Sequence, residues 1–144
     1  MANLTLTITE AVTLNGVSRG STNTQTVENV TEVYHRICDI RTNQWHTVAA
    51  FGASVGGSTL IDATVKHLRI TNLDATNFVK LILTETGVQE FMVKIEAGDS
   101  FILGNSVSDA NALGTGATPS FTNIDTITAR ADTGDCQIEL FIAN

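Results

Sequence analysis

The chain has 144 residues, 42% of them hydrophobic and 16% charged, with a net charge of −7. That length suits one domain that buries roughly two-thirds of its unfolded surface. Its eight Lys and Arg are scattered from Arg19 to Arg130, which speaks against nucleic acid as a partner, because that role needs a clustered positive footprint.

No apolar run approaches the length that crosses a bilayer, so no membrane partner is expected. Met1-Ala2-Asn3 opens directly into a strand without a basic segment or apolar signal region. The expectation is a chain made in the cytoplasm and not exported by a standard signal.

In chain order, Leu4-Thr5-Leu6-Thr7-Ile8-Thr9 alternates apolar residues with threonines, the period of a half-buried strand. Val12 and Leu14 extend it, and Asn15-Gly16 is a strong turn pair. Ser18 to Gln25 reads as a polar loop, mobile or ordered only against a partner. Thr26 to Ile40 reads mostly as strand, with room for a helical turn near Glu28 because Val27, Val30, Tyr34 and Ile37 also fall at helical spacing.

Trp45 to Phe51 is the next strand, and Gly52 to Ser58 a Gly/Ser loop leading to Leu60–Thr64. Lys66 to Leu83 is the clearest segment. Leu68 and Ile70 alternate with polar neighbours, Asn72 to Asn77 interrupt, and Val79, Leu81 and Leu83 resume. It reads as an antiparallel hairpin. Thr84–Gly87 turns the chain into Val88–Ile95, with Phe91, Val93 and Ile95 on one face. Glu96–Asp99 turns again into Ser100–Leu103.

Gly104 to Ser120, with the only Pro, reads as loop with one helical turn near Asp109. Phe121–Ala131 and Cys136–Ile142 are the last strands, joined by the Asp132–Asp135 turn. About eight or nine strands at regular spacing point to an all-β fold: one antiparallel β-sandwich domain over residues 1–144, jelly-roll-like. Its expected core includes Leu68, Ile70, Val79, Leu81, Val93, Ile138 and Leu140.

The search for chemistry favours the plain reading each time. His35, His46 and His67 lie on three separate strands without metal-ligand spacing, and His35 and His67 sit beside Arg or Lys. Asp99, Asp132 and Asp135 flank glycine turns but lack calcium-loop spacing. Gly52-Ala53-Ser54-Val55-Gly56 fits the letters of a nucleophile elbow, yet Gly57 and Ser58 stand where a helix must follow. Gly52–Gly57 and Gly114–Gly116 lack the Lys and helix of a phosphate cradle. Trp45 and Tyr34, each the only one of its kind, are too few for a stacking platform to be read. Cys38 and Cys136 read as buried free thiols, since a bridge needs neighbouring strands and an oxidising compartment. The expectation is a non-enzymatic chain with no catalytic, cofactor-binding or metal residues and no cofactor.

Leu68-Arg69-Ile70-Thr71-Asn72-Leu73-Asp74-Ala75-Thr76-Asn77-Phe78-Val79, followed by Val93-Lys94-Ile95-Glu96-Ala97-Gly98-Asp99-Ser100-Phe101-Ile102-Leu103, resembles small virion structural proteins of tailed bacteriophages. The likeness covers Thr26 to Leu103 and the last strand, and its motifs are structural. It implies a virion component, with capsid decoration (cement) of the phage head favoured over a collar, tail or fibre-base attachment part. The implied partners are other virion structural proteins, the major capsid protein first. A homo-oligomer, a trimer, is expected because polar loops need a partner and jelly rolls assemble cyclically. Contact is expected on the polar loops and the N-terminal strand edge around Leu4 to Thr9. A receptor- or carbohydrate-binding β-sandwich is the alternative from another class.

Overall fold

A computed structural model describes residues 2–52, 60–61, 65–85, 90–104, 109–110 and 122–144. The chain is an all-β antiparallel sandwich. The described residues hold fourteen strands, more than the eight or nine expected: β1 (Ala2–Glu10), β2 (Thr13–Leu14), β3 (Val17–Ser18), β4 (Ser21–Val30), β5 (Val33–Ile40), β6 (His46–Gly52), β7 (Leu60–Ile61), β8 (His67–Asn72), β9 (Val79–Glu85), β10 (Glu90–Ile95), β11 (Ser100–Leu103), β12 (Asp109–Ala110), β13 (Thr122–Ala131) and β14 (Cys136–Ala143).

One sheet runs β10-β9-β13-β6-β7, with β12 also on β13; the other runs β11-β8-β14-β5. All pairs are antiparallel except β6 with β7, where Phe51 faces Leu60 in parallel register. Between the sheets lies one core. Val79, Leu81 and Leu83 stand opposite Ala131, Ala129 and Ile127 on the first sheet. Leu68, Ile70, Ile138, Leu140 and Ile142 come from the second, all at most 3% exposed together with that first row. The small Ala129 and Ala131 leave room for the branched chains facing them, as close packing requires. Six of the seven expected core residues are buried, and Val93 is partly buried against them.

The Lys66–Leu83 hairpin is corrected. β8 pairs with β11 and β14, whereas β9 pairs with β10 and β13, so the two strands lie in different sheets. The polar cluster between them is an arch, closed by Asp74. Its Oδ1 accepts from the backbone N–H of Thr76 (2.8 Å) and Asn77 (2.6 Å), and these bonds hold its carboxyl below the usual range, Asn77 contributing most.

Ser18 to Gln25 is also corrected, because it is strand from Ser21 onward. Around Glu28 the chain is extended, with no helical turn; the break comes at 31–32, after Asn29 takes a left-handed φ of 58°. Residues 53–59, 62–64, 86–89, 105–108 and 111–121 carry the expected loop at Gly52–Ser58, much of the Thr84–Gly87 turn, the elbow letters after Gly52 and most of Gly104–Ser120, all of which lie outside the described residues. Within the last of these, Asp109 and Ala110 form β12 in place of a helical turn.

Asn144 is tied to the start of β5. β14 is central, and buried Asn144 donates its N–H to Glu32 O at 3.0 Å and accepts from Thr31 N at 2.8 Å.

Candidate functional site

Residues 2–30 leave the sandwich as a two-stranded ribbon. Among the described residues β1 and β4 pair only with each other, from Leu4 opposite Val27 to Glu10 opposite Ser21. At about 3.4 Å per residue the ribbon is roughly 30 Å long. Among the described residues, none before Tyr34 joins the core cluster.

Register and alternation give the ribbon two unlike faces. Thr5 opposes Thr26, Thr7 opposes Thr24, and Thr9 opposes Thr22, so six exposed threonines share one face. Their hydroxyls meet across the strands at 3.4 Å for Thr7–Thr24 and Thr9–Thr22, a favourable cross-strand pairing. The other face carries Leu4, Leu6, Ile8 and Val27.

At the far end, β2 and β3 close around Asn15-Gly16, whose φ values of 51° and 76° are those of a tight two-residue hairpin turn. Between ribbon and tip the strands approach so closely at Gly20 that a Cβ there would lie 2.1 Å from Glu10 O. Ile8, Val12, Leu14 and Val17 are 45%, 52%, 60% and 52% exposed. These are large apolar side chains on an element that pairs with no strand of the sandwich among the described residues.

The root is fixed. Lys66 Nζ donates to Glu28 O at 2.9 Å and Asn29 O at 2.7 Å, and Val30 is 5% exposed. Leu6 reaches the body: a Cβ on Gly104 would sit 3.8 Å from Leu6 Cδ2 and 3.4 Å from His67 Nδ1. His67 is buried here, its ring edge-on to Phe141 at 6.0 Å, and its Nδ1 has no hydrogen-bond partner. Burial, and then the Arg69 charge, push its pKa below the ordinary 6.5.

The outer face of the four-stranded sheet carries a second cluster. Glu139 lies 2.7 Å from both His35 Nε2 and Arg69 Nη2, and these bonds, His35 first, hold its carboxyl below the usual range. Arg69 also donates to Thr71 Oγ1, which is 2.7 Å from Ser100 Oγ. Each member is partnered, as in a sheet-surface ion network.

The three histidines share no site. His35 and His67 flank the Phe141 ring at 6.1 and 6.0 Å, while His46 Nε2 accepts from Arg41 N at 3.2 Å. Among the described residues, no group of three His, Cys, Asp or Glu is placed to hold a metal. Asp132 pairs with Lys80 at 2.6 Å, and Asp135 accepts from Thr42 N at 3.0 Å.

Cys38 and Cys136 are on neighbouring strands, but Cys136 faces Ile40 and Cys38 faces Ile138. That diagonal exceeds disulfide reach; both are free, and burial raises both thiol pKa values. Trp45 is 40% exposed with the Arg130 guanidinium 6.0 Å from its ring.

The Leu4–Thr9 edge singled out from the sequence is therefore one strand of this ribbon, whereas the polar loop beside it is the other strand. A signal for that strand was present: Thr22, Thr24 and Thr26 repeat the spacing of Thr5, Thr7 and Thr9. No family model, curated protein or solved structure matches the chain.

Proposed function

We propose that the chain is a non-enzymatic structural protein of a virion, a capsid decoration protein that binds its neighbours through the N-terminal ribbon. The observation that carries this reading is the ribbon itself. It is some 30 Å long, adds no described residue to the main core cluster, and ends in exposed Val12, Leu14 and Val17. The exposed apolar side chains at its tip find no cover among the described residues, and another molecule would supply it. The sequence likeness to phage virion proteins supports a particle as the setting. The partners are virion structural proteins, the major capsid protein first, in a homo-oligomeric assembly located on the virion.

The test is to mix the purified chain with shells assembled from the major capsid protein of the virion proposed for it, and to sediment them. Saturable binding that raises the melting temperature of the shell is expected. A chain left entirely in the supernatant at micromolar concentration overturns the reading.

A further inference from the structure

We infer that two copies of this chain pair antiparallel along β10, with a two-fold axis at Met92; this rests on the homo-oligomeric part of the reading above and names its contact. Among the described residues β10 bonds only to β9, so its other side is an open sheet edge. A strand bonded on one side presents free backbone groups to an incoming strand. Phe91 and Val93 lie on the core face, opposite buried Leu83 and Leu81, yet Phe91 is 51% exposed. Met92, on the outer face, is 59% exposed. Apolar cover is thus lacking on both faces of this edge. On the β5 edge the exposed apolar residues, Val33 and Ile37, share one face. Its charged side chains are also engaged, His35 with Glu139, Asp39 with Gln137 and Arg36 with Val48 O.

Charge on the outer face selects the occupant and the register. Arg130, Lys80 and Lys94 stand side by side across β13, β9 and β10. Asp132 pairs with Lys80 at 2.6 Å and Glu96 with Lys94 at 2.5 Å, while Arg130 donates to Thr42 O. Three cations against two carboxylates leave one positive charge, and the row ends at the open edge with Lys94. An ammonium has three N–H donors, so Lys94 can hold a second carboxylate beside Glu96. Glu90, on the same face, is exposed and lies in an uncharged row with Thr84 and Thr126. It has no ion-pair partner among the described residues.

With Met92 on the axis, Glu90 of each copy faces Lys94 of the other, and Phe91 faces Val93. Each cationic row then gains the carboxylate it lacks, and each Phe91 gains an apolar neighbour on the core face. A register moved by two residues sets Glu90 against Glu96 or against Met92 instead. A slip of one residue turns one core face outward. The contact joins like surfaces, so it closes with two copies, in place of the trimer expected from the sequence.

Light scattering of the full chain over a micromolar to millimolar series, without shells, tests this. The parent protein is expected to dimerise. Glu90→Lys sets cation against cation at both ends of the contact and should weaken dimerisation about tenfold, the size of two exposed ion pairs. Lys94→Glu sets carboxylate against carboxylate and should weaken it as much. Mixed one to one, the two variants bring opposite charges together at both positions and should dimerise as tightly as the parent. Met92→Lys places like charges on the axis at an exposed position and should give a folded monomer by circular dichroism. A parent that stays monomeric or forms a trimer, a Met92→Lys dimer as tight as the parent, or a mixture no tighter than its components overturns the inference. Lys94→Glu also loses the Glu96 pair; if it does not fold, Glu90→Lys and Met92→Lys decide. Shell binding is read separately by sedimentation, so a monomer that still binds shells refutes the β10 contact alone.

Discussion

His67 follows Lys66 into β8, and the pair meets the ribbon root from below: Lys66 binds two of its carbonyls while His67 is buried with Nδ1 unpartnered. Because burial and Arg69 depress the pKa of His67, the unfolded chain takes up this proton first as pH falls. Stability is therefore unaffected by His67 well above the ordinary value of 6.5. It declines as pH drops through that value toward the lower folded one. Urea midpoints of the parent should fall between about pH 7 and 5, and His67→Leu should flatten that slope. Below that window Glu139 and Asp74, both held low in the fold, add a further loss in either protein. A parent midpoint constant over the window would show that His67 is not held neutral by the root. None of this was legible in the sequence, where His67 stood as a histidine beside Lys66 without metal-ligand spacing and nothing marked it as buried. Asn72 is similar. It reads as turn chemistry, yet it has no exposed surface, and its Nδ2 donates to the carbonyls of Asn77, Ile95 and Glu96 at 2.8, 3.3 and 3.1 Å. Burial of a polar side chain depends on partners that are distant in the chain.

At the scale of elements, alternation specifies which side chains face inward but not which strand lies alongside. Leu68, Ile70, Val79, Leu81 and Leu83 were legible as one buried set because period two is local. Their division between two sheets was not, since the Asn72–Asn77 arch and a tight hairpin turn use the same residue types. Likewise the first half of β4 was missed because Ser21 to Gln25 holds no apolar residue, so that the alternating threonines were its one signal. Leu81→Ala checks the core assignment. Leu81 has no exposed surface and lies opposite Ala129 and Val93, so the small neighbour cannot fill the space left. A loss of about 2–5 kcal/mol is expected in chemical denaturation. An unchanged midpoint would mean that the β9 register is displaced by one residue, which would turn Leu81 outward.

The whole molecule is an acidic sandwich with a nearly neutral ribbon attached, and the two parts differ in what holds them. The sandwich has a core from two sheets; the ribbon has backbone pairing, threonine contacts and a fixed root. Isolated two-stranded hairpins are marginal in water, so the ribbon depends on its root or on a partner for order, whereas the sandwich does not depend on the ribbon. Removing residues 2–27 tests this asymmetry. The remainder keeps Val30, the Asn144 bonds to Thr31 and Glu32, and every residue of the core cluster. It should still unfold in one cooperative transition. Leu6 and His67 both lie beside Gly104, so if the ribbon adds to the burial that lowers the His67 pKa, its titration by NMR should move up toward the ordinary value. Collapse of the truncated chain into an unfolded state would show instead that the ribbon is part of the domain. Its apolar face would then be a component of the fold, and the contact surface would have to be sought on the open edges of the sandwich.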